Sequence, residues 1–217
     1  EFMIQANVCA AETLEQKTRP QIYRCHDRPS DTKIAALTDF LPTVDMAWAK
    51  GQTLSASRFN RILHLAQESP NKDIINEVIL RTQSQAVYSP ENIGHFGLNL
   101  ARYSHFTSPI RRYPDLAVHR VVRALARGEF VDGALLLPML RKMAARSSQL
   151  ERRAMTVERD VVSLYRCLVM RDKVGEEMNA TISGLDETGF YASIDSPFVD
   201  VFVPCEVCGG RRYDRET

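Results

Sequence analysis

The sequence predicts an α+β fold, in which a helix-rich segment reaching about residue 173 is followed by a shorter strand-rich one. Three observations carry that reading. Apolar residues recur at steps of three and four through most of the first segment, the period of an amphipathic helix. One such pattern runs unbroken from roughly Leu135 to Asp172. After Gly175 the period switches to alternation, as strands with one buried face require.

The elements follow in chain order. Residues 2 to about 17 place Met3, Ala6, Ala10 and Leu14 on one helical face, and Ile22 to Cys25 is a short extended piece. Ser30 suits the N-cap of a helix carrying Ile34, Leu37 and Leu41, with Asp31 favourably placed in its first turn. Two further helices carry Phe59, Ile62, Leu63 and Ala66, then Ile74, Ile75, Val78 and Ile79. Residues 84 to 113 contain Pro90, Gly94, Gly97 and Pro109 and read as irregular or partly extended. A helix opened by Pro114 buries Val118, Val121, Val122 and Leu125, and Gly128 terminates it. In the long helix, Met143, Ser147, Leu150, Ala154, Val157, Val161, Leu164 and Leu168 follow alternating steps of four and three. That seam suits a coiled coil, but packing against helices of its own domain is the expectation. Strands are predicted at Met178–Ser183, Phe190–Ile194 and Val199–Val203, with turns at Gly184–Gly189 and Ser196-Pro197. Three short strands are half of a five-stranded OB barrel.

Composition is that of an ordinary globular protein, 44% apolar and 25% charged over 217 residues, so disorder and fibrous classes are excluded. No apolar run is long enough to span a bilayer, and no signal-peptide pattern is present. Cys9, Cys25, Cys167, Cys205 and Cys208 are odd in number and mostly scattered, as reduced thiols of a cytoplasmic protein are. Cys205-x-x-Cys208 has metal-knuckle spacing without a second pair of ligands nearby. His95, His105 and His119 lack a ligand spacing, so packing or hydrogen bonding is expected of them. An amphipathic pattern is already running at Glu1, and Cys208 to Thr217 close on neither helix nor strand, so both ends read as cuts within a longer protein.

Net charge of +1 says little, but its distribution says more. Between Arg102 and Arg127 stand Arg102, Arg111, Arg112, Arg120, Arg123 and Arg127 against Asp115 as the lone acid. A local basic stripe in a neutral chain suits a phosphate-bearing partner. Within it lies the most concentrated chemistry of the chain, His105-Phe106-Thr107-Ser108-Pro109-Ile110-Arg111-Arg112-Tyr113-Pro114-Asp115-Leu116. Two hydroxyls, two adjacent guanidiniums and a proline-stiffened turn open directly into a helix start. Arginine's planar fork matches phosphate oxygens and keeps its charge, and the helix terminus adds positive potential.

The run HFTSPIRRYPDLAVHR resembles the signature of the catalytic (RNB) domain of the ribonuclease II/ribonuclease R exoribonucleases. The likeness continues from the opening EFMIQAN through ERDVVSLY, then into a segment similar to the S1-type OB-fold RNA-binding domain. It implies that residues 1–173 are the C-terminal portion of an RNB catalytic domain and 174–217 the N-terminal portion of an S1-type OB fold. The implied activity is 3′-to-5′ hydrolysis of single-stranded RNA to nucleoside 5′-monophosphates by a monomeric, cytoplasmic enzyme without a membrane partner. In that family Mg²⁺ is held by clustered aspartates upstream of the matched part. No Asp-x-Asp-Asp arrangement occurs here, and Asp160, Asp172, Asp186, Asp195 and Asp200 are isolated, so the fragment alone is expected to be inactive.

By the same resemblance Arg111 is the catalytic arginine, gripping the scissile phosphate and offsetting charge that develops on it. Arg112 meets a neighbouring phosphate or makes an ion pair that sets the turn. Glu1 matches a position that recognises the ribose 2′-hydroxyl, and Glu158 another close to the RNA end, with pairing to Arg153 or Arg159 as its alternative. Ser108 is placed at the RNA, and Tyr103, Phe106 and Tyr113 stack on bases, with core packing equally open to Tyr103 and Phe106. Of Phe190 and Tyr191, successive on a strand, one faces the binding side. A catalytically dead RNA-binding module is the rival reading, and a helical adaptor the third.

Overall fold

The computed structural model describes residues 1–47, 54–186 and 188–208. Within them, helices form where the apolar spacing calls for them: α1 (Phe2–Gln16), α2 (Asp31–Phe40), α3 (Ala56–Ala66), α4 (Lys72–Thr82), α5 (Tyr113–Ala126) and α6 (Gly133–Arg171). Ser30 does cap α2, its hydroxyl accepting the Lys33 N–H, with Asp31 in the first turn. Gly128 ends α5 at φ +66°, a conformation that costs a side-chain-bearing residue more. Two three-residue strands, β1 (Tyr23–Cys25) and β2 (Val87–Ser89), pair antiparallel and set Arg24 opposite Tyr88.

The chain divides into two compact units, Glu1–Arg153 and Ala154–Thr217, the division falling inside α6. In the first unit, α2, α3 and α4 bury Leu37, Leu41, Phe59, Ile62, Ala66, Ile75 and Ile79 among themselves. Helix α1 lays Ala10 and Leu14 against Val118 and Val121 of α5. The β1–β2 pair packs Ile22 and Tyr88 against Ala117 of α5 and Leu140 and Ala144 of α6. These last two clusters fix α5, and hence its start, from both sides. Met3 is 69% exposed, and the polar Asn7 takes a place on the buried face of α1.

The apolar seam of α6 corrects an expectation. Its buried residues are Leu140, Ala144 and Ser148, at even steps of four. The anticipated packing face is exposed from Leu150 onward, through Val157, Val161, Leu164 and Leu168. A stripe at mixed steps of four and three drifts around a straight helix away from a contact made at steps of four.

In the second unit, β3 (Ala180–Asp186), β4 (Gly189–Asp195) and β5 (Phe198–Pro204) form an antiparallel meander in the order β3-β4-β5. The alternation holds: Ala192, Ile194 and Val199 are buried, whereas Tyr191 and Phe202 project to the other face with ring centres 5.0 Å apart. At Gly189 a Cβ would collide with the Val203 carbonyl and the Phe202 ring, so only glycine lets these strands approach. Described residues of this unit form an open three-stranded sheet, not a closed barrel.

Candidate functional site

The arginine-bearing turn is built from backbone outward. The Ser108 carbonyl accepts the N–H of Arg111 (3.3 Å) and of Arg112 (3.1 Å), closing the chain over Pro109 and Ile110. Arg112 is the extended N-cap residue of α5, with Tyr113 and Pro114 next and Asp115 in the first turn. The turn is then held by two buried side chains from different elements. Asn7 of α1, 3% exposed, accepts the N–H of Phe106 (2.9 Å) and of Thr107 (3.2 Å) on its Oδ1, and donates to the Tyr103 hydroxyl (3.0 Å). Asp115, fully buried, accepts the Ser108 N–H and an Arg112 guanidinium N–H on one oxygen, each at 2.8 Å.

Behind the turn lies a part-buried polar relay. The Tyr88 hydroxyl is hydrogen-bonded to His105 Nδ1 at 2.9 Å. The Arg24 guanidinium lies 4.6 Å from the centre of the Tyr88 ring and grips Glu151 of α6 through two hydrogen bonds, 2.7 and 3.0 Å. Burial, with the Arg112 and Arg24 charges adding to it, pushes the His105 pKa down to about 3. Burial, assisted by His26, takes His95 down to about 4. Burial also raises Tyr88 to about 12. These rings are therefore neutral at physiological pH and serve as packing and hydrogen-bonding groups, as expected of His95 and His105. His119 likewise stacks on Phe106 at 4.0 Å and is hydrogen-bonded to its carbonyl.

The anticipated site residues thus separate. Arg111 is exposed and, among the described residues, has no ion-pair partner, while Ile110 beside it is fully exposed. Tyr113 is 53% exposed at the same turn. Arg112 pairs its guanidinium with buried Asp115, the ion-pair alternative of its two readings. Tyr103 is 7% exposed and makes T-shaped contacts with His95 and His105, the core-packing alternative of its two readings. Phe106 is occupied by His119. Ser108 is half-buried and contributes its backbone groups to the turn. Glu1 is exposed at the start of α1, and Glu158 is exposed on α6, without an ion pair to Arg153 or Arg159 among the described residues. Of the basic stripe, Arg102 pairs with Glu15, Arg112 with Asp115 and Arg127 with Glu129. Arg111, Arg120 and Arg123 remain as exposed cations without ion pairs among the described residues.

Asn7 and the Arg24–Glu151–Tyr88–His105 relay escaped the sequence reading. Asn7 did leave a signal, a polar residue in register with Ala10, Ala11 and Leu14 on an apolar face. The relay left none, because Arg24 and Glu151, which it joins, are 127 residues apart in the chain. Among the described residues no group of three or more His, Cys, Asp or Glu is placed to hold a metal ion, so these residues do not fit the Mg²⁺ site of the resembled family. The side chains of Cys208 and Asp195, and the turn at Glu187, lie outside the described residues. Among the described residues, no helix is long and apolar enough to cross a membrane.

Comparison with known proteins gives this geometry a lineage. The profile of the RNB domain matches residues 1–128, more than half of the chain and the whole of the clamped turn. The chain belongs to the RNB-domain family. Within that family it is close to bacterial ribonuclease R: ribonuclease R of Buchnera aphidicola subsp. Acyrthosiphon pisum is 36% identical over 211 residues, covering 93% of this chain and 29% of that protein. Among solved structures, Mycoplasma genitalium RNase R in complex with ribose methylated single-stranded RNA superposes with a TM-score of 0.87 at 27% identity, covering 94% of this chain and 32% of that one. Yeast Ssd1, a pseudonuclease, shares the fold with a TM-score of 0.74 at 21% identity, over 94% of this chain and 26% of its own. The chain spans under a third of the length of these relatives.

Proposed function

We propose that this chain supplies the phosphate-gripping part of a 3′-to-5′ exoribonuclease that hydrolyses single-stranded RNA to nucleoside 5′-monophosphates. The observation that carries the proposal is Arg111: a permanently charged guanidinium, without an ion pair among the described residues, on a turn locked by two buried side chains. A backbone fixed before substrate arrives reduces the reorganisation needed when charge builds on the phosphoryl oxygens. The RNA-bound Mycoplasma relative supports an RNA partner for this fold. Arg120 and Arg123, one turn apart on α5, would extend the positive track along the strand.

Residues 1–173 would then be the C-terminal portion of the catalytic domain and 174–217 the start of an S1-type OB fold, with Tyr191 and Phe202 as its stacking surface. Glu1, Glu158 and Tyr113 would be further RNA contacts. Mg²⁺, in the complete protein, would be held by residues other than those described here and would supply the activated water. The same fold is carried by a pseudonuclease, so fold alone does not separate an enzyme from an inactive RNA-binding module.

The test is Arg111→Ala in the complete gene product. Turnover of an RNA homopolymer should fall by about 10²-fold or more, while the Kd for that RNA stays within about tenfold. An equal loss of turnover and affinity would make Arg111 a binding residue only, and an inactive parental protein would favour the RNA-binding module. The 217-residue chain alone should bind the homopolymer with an affinity that falls steeply with salt, and release no mononucleotide.

A further inference from the structure

We infer that Asp115 is a positioning residue, which acts through Arg111 by tying both ends of the turn that carries it; the inference rests on the function proposed above. An acidic residue in the first turn of a helix is ordinarily satisfied at the surface by the helix dipole. Asp115 is instead fully buried, where an ionised carboxylate is costly unless donors surround it. Its two donors bracket the tip of the turn. Ser108 N–H approaches from one side and the Arg112 guanidinium from the other, each 2.8 Å from the same oxygen. Between them stand only Pro109, Ile110 and Arg111.

The rest of the geometry agrees with a conformational role. Among the described residues, the other Asp115 oxygen and Arg112 Nε are buried without a hydrogen-bond partner, so the pair is not optimised for stability. Replacing such a buried ion pair with apolar residues is often neutral or stabilising, which leaves conformational specificity as what the pair contributes here. The pairing also withdraws Arg112 from competition for a phosphate and leaves Arg111 as the single free guanidinium of the doublet. Asn7 holds Phe106 and Thr107 from α1, so three successive amides, 106 to 108, end on two buried side-chain oxygens. The backbone at Arg111 has little room to move relative to α1 and α5.

Asp115→Asn keeps the size of the side chain but removes the negative charge that holds both donors on one oxygen. In the complete gene product its kcat on an RNA homopolymer should fall by about 10- to 100-fold with KM within about threefold, the effect of a misplaced catalytic group. In an Arg111→Ala background the same change should cost less than about twofold, because the group it positions is gone. Loss by the same factor in both backgrounds, or a rise in KM with kcat unchanged, would overturn the inference. A second measurement needs no activity: in the 217-residue chain, Asp115→Asn should speed hydrogen exchange at the Ser108 amide at least about tenfold while later turns of α5 keep their protection. Unchanged exchange at Ser108 would equally overturn it. A parental protein that turns over no RNA refutes the proposed function, and the exchange result then decides whether the clamp exists.

Discussion

Asn7→Ala is the sharpest perturbation of the turn's stability. The substitution leaves the Phe106 and Thr107 amides without an acceptor and the Tyr103 hydroxyl without a donor. Asn7 itself is 3% exposed, so water cannot simply take its place. Each half-buried amide left unpaired costs about 1 kcal/mol, and loss of the bond to Tyr103 about another, giving a destabilisation of about 3 kcal/mol. For a unit of this size that lowers Tm by about 6–12 °C. Urea unfolding followed by circular dichroism should show the midpoint fall with the slope unchanged. Tyr103→Phe is the matched control: it removes the one bond to Asn7 and should cost about 1 kcal/mol. If Asn7→Ala costs no more than Tyr103→Phe, the two amide bonds contribute nothing and the account of the clamp is wrong.

Two further outcomes follow from the relay behind the turn. His95 and His105 have folded pKa values of about 4 and about 3, below the ordinary 6.5. The unfolded chain therefore binds protons that the folded one refuses, and stability is full above pH 6.5 and declines as pH falls toward 4 and then 3. Linkage sets an upper limit of about 2 kcal/mol per histidine by pH 5, reduced to about 1 kcal/mol by solvent access to these part-buried rings. His105→Gln should flatten the slope of stability against pH over 4–6.5, and a slope identical to the parent's would refute burial as its cause. Glu151→Ala breaks the two-bond grip on Arg24, whose side chain is 14% exposed against 36% for Glu151. Lying between surface and buried pairs, it should cost about 1–2 kcal/mol in urea unfolding, and a cost equal to that of an exposed pair such as Glu91→Ala would show that the grip is ornamental.

The secondary structure and the identity of the key loop were legible in one dimension because their causes are local. Helical spacing, the Ser30 cap, Pro114 at a helix start, Gly128 at a helix end and alternation after Gly175 each act within a few residues. The HFTSPIRRYPDL run marked an arginine-bearing turn opening into a helix for the same reason, since its groups are neighbours along the chain. Which of the two arginines stays free was not legible. That choice depends on Asp115 being driven into the interior by packing of α5 against α1 and α6, whereupon it must take the nearest guanidinium. Tyr103 and Phe106 pack against His95, His105 and His119 through contacts that a periodic pattern does not predict. The outer half of α6 failed in the opposite direction: a seam that reads as a packing face is left exposed among the described residues. Spacing specifies what a residue can touch along its own element, whereas burial and pairing depend on what other elements bring to it, and here that difference separates an exposed cation from an anchored one.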